Sequence, residues 1–217
     1  MRNPLPAAAA LLAGLALAGC LTRPSLVRES FALVAPAREG ASAKVPSTRP
    51  VLALKYVEVS NLFDGRLLVY RTGETTWERD PYAEWMTTPG RMLADAMAEG
   101  LRASGPWLDV VGLGSTLRAG EVAEVTVTGL YGDFRLPAEP YAVFSLRVSL
   151  VSPGRGMTPA TQALHKEYRR RERISARTPA ALVEGLNREL SSILAEAASD
   201  AAALPPAPPP LPALPPS

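Results

Sequence analysis

The sequence predicts a single α/β domain: a mixed β-sheet with helices packed on it, a layered α/β sandwich. Three observations point there. Several segments alternate apolar and polar residues with the period of two that a half-buried strand requires. Two segments carry apolar stripes at helical spacing, each behind a Thr-Pro start. Strand and helix segments also interleave along the chain, which favours a layered arrangement. The 217 residues allow one domain of roughly 100–200 residues with extensions.

The elements follow in order. "FALVAP" (31–36) is a small strand candidate, and the turn formers of 38–50 read as a loop. "VLALKYVEVS" (51–60) places Val51, Ala53, Val57 and Val59 on one face and Leu52, Leu54 and Tyr56 on the other. Both faces are apolar, which predicts a central strand covered on both sides. "LLVYR" (67–71) is a further strand. In "TWERDPYAEW" (76–85), Pro81 argues for an edge or a break.

Residues 87–105 predict a helix. Thr88 is placed to cap it, Pro89 suits its first position, and Leu93, Met97, Gly100 and Leu101 share one face. "WLDVVGL" (107–113), 121–136 and 141–151 predict strands, and 160–176, also compatible with a helix, reads rather as a third long strand. Residues 177–199 form the clearest helix. Thr178 caps it, and Leu182, Leu186, Leu190, Ile193, Leu194 and Ala197 line one stripe. The proline-rich end, 204–217, cannot hold a helix or strand and reads as an extended polyproline tail.

Charge and chemistry narrow the function. The net charge of +2 is too weak to argue for nucleic acid, which calls for a strong basic patch. One His and one Cys leave no zinc set and no internal disulfide, and no cofactor motif stands out. "GLGS" (112–115) lacks the third glycine and helix of a dinucleotide site and reads as a turn. Glu78, Asp80 and Glu84 lie close enough in sequence for acid/base work, but their spacing within a short polar segment reads rather as a solvated loop. His165 adjoins the charged run "KEYRRRER" (166–173) and reads as solvated; the run itself could face anionic lipid head groups but reads as a solvated strand or helix face. Trp77, Tyr82 and Trp85 read either as a partner contact or as core. No catalytic constellation emerges, which predicts a non-enzymatic protein.

The amino terminus says where it resides. A short basic start precedes an apolar run from Leu5 to Cys20, the layout of a secretory signal over 1–19. The run is shorter than the roughly 20 residues of a membrane-spanning helix. Its end, Leu17-Ala18-Gly19-Cys20, resembles the lipobox of bacterial lipoproteins. That resemblance implies cleavage between Gly19 and Cys20 and acyl chains, palmitate among them, on Cys20. Leu21 stands where Asp favours inner-membrane retention in such lipoproteins, so the outer membrane is expected, with the domain facing the periplasm. Residues 20–30 are then a lipidated tether, 31–199 the α/β domain and 204–217 the tail.

Segment order carries a second resemblance. The strand ending at Val59, "LVYRTG", the aromatic "YAEW" and the helix up to Gly105, followed by long strands and a last helix, resemble the auxiliary lipoproteins of ABC-type transport, including the PqiC-like proteins. Family members often carry a Pro- and Tyr-containing turn where "NLFDGR" stands here. The resemblance implies a non-enzymatic α/β domain that works with an MCE-domain periplasmic protein and its ABC transporter to move phospholipid or other hydrophobic molecules. It leaves open whether the domain itself touches lipid. The alternative is an outer-membrane assembly lipoprotein for lipopolysaccharide or β-barrel proteins. A hydrolase would have to use Glu78, Asp80 or His165.

Overall fold

The computed structural model describes residues 28–34, 47–112, 115, 117–154 and 159–205. Its eight strands are β1 (Glu29–Phe31), β2 (Leu52–Val59), β3 (Leu67–Arg71), β4 (Trp77–Trp85), β5 (Val110–Val111), β6 (Glu121–Asp133), β7 (Tyr141–Ser152) and β8 (Thr161–Arg173). Two helices, α1 (Pro89–Ser104) and α2 (Pro179–Ala203), complete the described fold. The strands form one curled mixed sheet, a half-barrel packed with the two helices, as the α/β reading requires.

β6 is the hub. One edge pairs antiparallel with β7 along nearly its whole length, and β7 pairs antiparallel with β8. The other edge is shared. Its first half pairs parallel with β2, and its last residues, Gly132 and Asp133, pair parallel with β3. From there the path runs through β4 to β1 at one end and through β2 to β5 at the other.

Both helices pack on the same face. Met97 and Leu101 of α1 and Ile193 and Leu194 of α2 meet Leu52, Ala123, Val125, Val148 and Leu150 from three strands. Leu52, Leu93, Phe144, Leu146, Leu186, Leu190 and Ile193 are wholly buried there. Gly185 lets α2 approach the sheet closely. A Cβ at that position would lie 2.7 Å from Ile174 Cγ2 and 2.8 Å from Ala142 Cβ.

Several expectations need correction. The first strand lies at Glu29–Phe31, so residues 29 and 30, assigned to the tether, belong to the sheet. Residues 32–34 leave the strand, with Leu33 buried in the core and its amide directed at Met92 Sδ at 3.1 Å. In β2 a register shift between Leu54 and Tyr56 moves Val57 to the helix-facing side with Leu52 and Leu54. Tyr56 is turned out and left 45% exposed, so the strand is central in its pairing but covered on one face.

β4 runs unbroken through Pro81 and lies between β1 and β3. Asp80 makes this possible. Its Oδ1 accepts from the amides of Tyr82 (2.8 Å) and Ala83 (3.1 Å), satisfying backbone donors at the irregularity. Among the described residues of the 107–113 segment, only Val110 and Val111 pair as a strand. Thr88 stands at the N-cap of α1 without a side-chain hydrogen bond, whereas Thr178 accepts from the Ala181 amide at 3.3 Å. Helix α2 continues to Ala203, four residues past its expected end.

Candidate functional site

The expected signal sequence over 1–19, the expected cleavage and lipidation positions Gly19 and Cys20, and all but the first two residues of the proline tail lie outside the described residues. What is described is the body they attach to, and three of its features bear on function.

The first gathers both ends of the fold. Arg49 precedes β2, Glu121 opens β6, and both side chains are almost fully buried. Arg49 donates to Glu121 at 2.5 and 3.0 Å, and Trp107 Nε1 donates to the same carboxylate at 2.8 Å. The remaining guanidinium nitrogen donates to the carbonyls of Ala201 (3.2 Å), Leu204 (3.4 Å) and Pro205 (3.2 Å). A cation at a helix C-terminus satisfies orphan carbonyls and opposes the negative end of the helix dipole. Arg49 therefore holds the point where α2 ends and the proline tail begins.

The second is a charged clasp between β8 and α2. Side chains alternate on a strand, so Lys166, Tyr168, Arg170 and Glu172 all point at the helix. On α2, Ser192, Glu196 and Asp200 recur at the spacing that aligns one face. Lys166 bridges Glu196 (2.8 Å) and Asp200 (2.6 Å), and Tyr168 donates to Asp200 at 2.8 Å. Arg170 pairs with Glu196 and with Ser192, and Arg188 pairs with Glu172 at 2.5 Å. The basic run read as a solvated face thus has half its side chains committed to a helix. Lys166 and Arg170 hold the Glu196 carboxyl below its usual range. Burial would raise Asp200, but the hydrogen bonds from Lys166 and Tyr168 outweigh it and leave the group lowered.

Glu189 lies on the same helix, 2% exposed, with neither carboxylate oxygen hydrogen-bonded by another side chain. Burial pushes its pKa from an ordinary 4.5 up to about 8, outweighing the Glu172 backbone and the Arg170 and Arg188 charges, which pull it down. Asp133 is the contrasting case. It is as deeply buried, but Arg135 grips it at 2.8 and 2.9 Å and holds its carboxyl below the usual range.

The third is the interior between sheet and helices. An apolar cavity of about 20 Å³ lies there, lined by Leu52, Met97, Val125, Leu150, Ile193 and neighbouring residues. That is room for roughly one water molecule, and apolar walls leave such a space dry.

The acidic and histidine candidates are not brought together. Glu78, Asp80 and Glu84 lie on β4 and His165 on β8, with β3, β6 and β7 between them. Each has a structural partner. Glu78 accepts from Thr72 (3.0 Å), Asp80 from Tyr70 (2.7 Å) and Glu84 from Arg66 (2.8 Å), while His165 faces Ser149 at 2.9 Å. Among the described residues no three His, Cys, Asp or Glu side chains are placed to hold a metal ion. The aromatic trio divides. Trp85 is core, Trp77 stacks edge-on with Tyr131 at 4.9 Å, and Tyr82 is 59% exposed.

Sequence reasoning passed over Arg49, Glu121 and Glu189. Only Glu189 carried a visible signal: it interrupts the apolar stripe between Leu186 and Ile193.

A family model described as the ABC-type transport auxiliary lipoprotein component matches residues 31–198, and the chain belongs to that family. Its fold is similar to that of protein XCC0632 from Xanthomonas campestris. That structure is 16% identical, with a TM-score of 0.60 over 77% of this chain and 90% of that one. A second solved structure, of an uncharacterized protein, gives 0.61 at 16% identity, over 80% of this chain and 98% of that one. At such identity these two speak for the fold alone. No curated protein matches the chain.

Proposed function

We propose that this auxiliary lipoprotein is anchored in the outer membrane through Cys20 and docks the periplasmic MCE-domain partner of an ABC transporter there. The system it serves moves phospholipid or another hydrophobic molecule between the membranes. The signal-like run ending Leu17-Ala18-Gly19-Cys20 and the Leu at position 21 support the anchor and the membrane.

Among the described residues, the close packing between sheet and helices favours docking over carrying. A carrier of acyl chains needs an apolar space that accommodates them, and the cavity of about 20 Å³ between sheet and helices holds roughly one water. The domain then acts by its surface, and its cargo passes through the partner. The family's role in transport, and the separation of Glu78, Asp80 and Glu84 from His165 by three strands, favour a non-enzymatic part.

The test is purification of the lipidated, tagged protein from gently solubilised membranes, with mass spectrometry of what accompanies it. An MCE-domain protein together with a transporter is the expected result. A large β-barrel alone would transfer the protein to outer-membrane assembly. Recovery of neither from cells that express both would remove the docking role.

A further inference from the structure

The tether restricts which part of the domain can meet the membrane. Eight positions separate Cys20 from Arg28, the first described residue. Fully extended at 3.3–3.6 Å per residue, they reach at most about 29 Å. A domain of this length has a radius of gyration of roughly 16 Å, so it is broader than its tether is long. Arg28 leads directly into β1, which forms one end of the strand path and pairs with Ala83–Trp85 of β4. The β1–β4 edge is therefore the part held nearest the bilayer.

That edge has an uncommon composition. Of seven large apolar side chains left exposed among the described residues, three belong to it: Val34 (57%), Tyr82 (59%) and Met86 (64%). Tyr82 lies one residue before the paired stretch of β4, and Arg28 one residue before that of β1, with Arg28 Nε on the Pro81 carbonyl at 3.1 Å. Met86 follows β4 directly, and its amide donates to the Phe31 carbonyl at 2.8 Å. Half-exposed Arg28 and Arg66 both reach Glu84 in the same strand. An amphipathic Tyr, a flexible Met and long Arg side chains with apolar stems suit the boundary between headgroups and acyl chains.

We propose that the β1–β4 edge rests on the membrane surface, with Tyr82 and Met86 entering the interfacial layer. This rests on the reading of Cys20 as the lipid-bearing residue. The opposite end of the strand path, at β5, is then turned towards the periplasm. There Arg49 holds the start of the proline tail, and Leu108 (62%) and Leu117 (60%) are exposed.

The chain's chemistry makes the test clean, because Cys20 is the only cysteine and its thiol is consumed by lipidation. Four full-length lipidated variants, Tyr82→Cys, Met86→Cys, Leu108→Cys and Leu136→Cys, each gain one labelling site on an exposed side chain. Each is labelled with an environment-sensitive fluorophore and reconstituted into phosphatidylethanolamine–phosphatidylglycerol vesicles that carry brominated acyl chains. Quenching at positions 82 and 86 should exceed that at 108 and 136 at least threefold. Equal quenching at all four, or stronger quenching at 108 or 136, in protein that floats with the vesicles overturns the orientation and leaves the anchor standing. Protein that fails to float, as the Cys20→Ser variant should, overturns the anchor and the orientation together.

Discussion

Arg49 and Glu121, 72 positions apart in sequence, form a buried ion pair with hydrogen bonds of 2.5 and 3.0 Å. The pair ties the entry of β2 to the start of β6, and through the second guanidinium nitrogen it reaches the end of α2. Three distant pieces of chain thus share one charge centre. A charge left alone in such a site is far costlier than the pair.

Removing one partner should therefore unfold the domain readily. Glu121→Ala is expected to cost about 3–5 kcal/mol, because it strands the Arg49 cation and the Trp107 N–H. The double variant Arg49→Met with Glu121→Leu should recover much of that loss. Urea denaturation of the three proteins checks both statements, and a double variant no more stable than the single one would contradict them.

Glu189 should make stability fall as pH rises. Its carboxyl is neutral in the fold up to about 8 but ionises near 4.5 once unfolded. The unfolded state therefore binds fewer protons across that window, and the group withdraws stability as pH climbs from about 4.5 to 8. At pH 5 wild type and Glu189→Gln should be close. By pH 8 the variant should lead by roughly 2–4 kcal/mol, at about 1.4 kcal/mol per pH unit before solvent relaxation. Urea midpoints at pH 5, 6.5 and 8 read the difference. Parallel profiles would show that Glu189 finds a partner in solution.

The clasp between β8 and α2 should respond to acid and salt in the opposite sense. Glu196 and Asp200 have lowered carboxyls, so their contribution is complete above the ordinary carboxylate range and is lost as pH falls below it. Half-exposed ion pairs are screened by solvent. Glu196→Gln should cost less than about 1 kcal/mol at low salt and nearly nothing at 1 M salt. Thermal melts at the two ionic strengths decide it.

At Gly185 packing and helix propensity make opposite forecasts. Alanine favours a helix interior over glycine by about 1 kcal/mol. The added methyl would nonetheless meet Ile174 and Ala142 inside 3 Å. Overpacking of this kind costs about 1–3 kcal/mol, so Gly185→Ala should destabilise. A rise in melting temperature would mean that α2 can move off the sheet.

For the anchor, Leu21→Asp is the informative change. If residue 21 decides sorting as it does in the lipoproteins this chain resembles, the variant should move from the outer- to the inner-membrane fraction on a density gradient while keeping its lipid. Cys20→Ser should lose both lipid and membrane. An unchanged distribution of Leu21→Asp would remove position 21 from the argument.

How much was legible follows from which signals are local. The stripe of α2 and the Thr178-Pro179 start are encoded within a few residues, and the helix forms there. The alternation in 141–151 likewise became β7 with Phe144, Leu146, Val148 and Leu150 turned to the helices. β2 shows where local reading fails. Strict alternation put Val57 opposite Leu52, but a bulge opposed to β6 shifted the register and reversed the faces. The mid-strand proline misled for a similar reason, since Asp80 supplies hydrogen bonds that propensity does not count.

Residue order alone was enough for the α/β class, the two helices, the signal-like start with its single cysteine, and the family resemblance that the match over 31–198 bears out. These depend on periodicity and on neighbours in the chain. The tertiary structure decided what depends on residues far apart: the Arg49–Glu121 pair, Lys166 and Arg170 of β8 meeting the carboxylates of α2, the burial of Glu189, and the pairing of β1 with β4. A charge in sequence looks solvated until its partner is placed. Burial and ion pairing are properties of three-dimensional neighbours, and no window along the chain contains them.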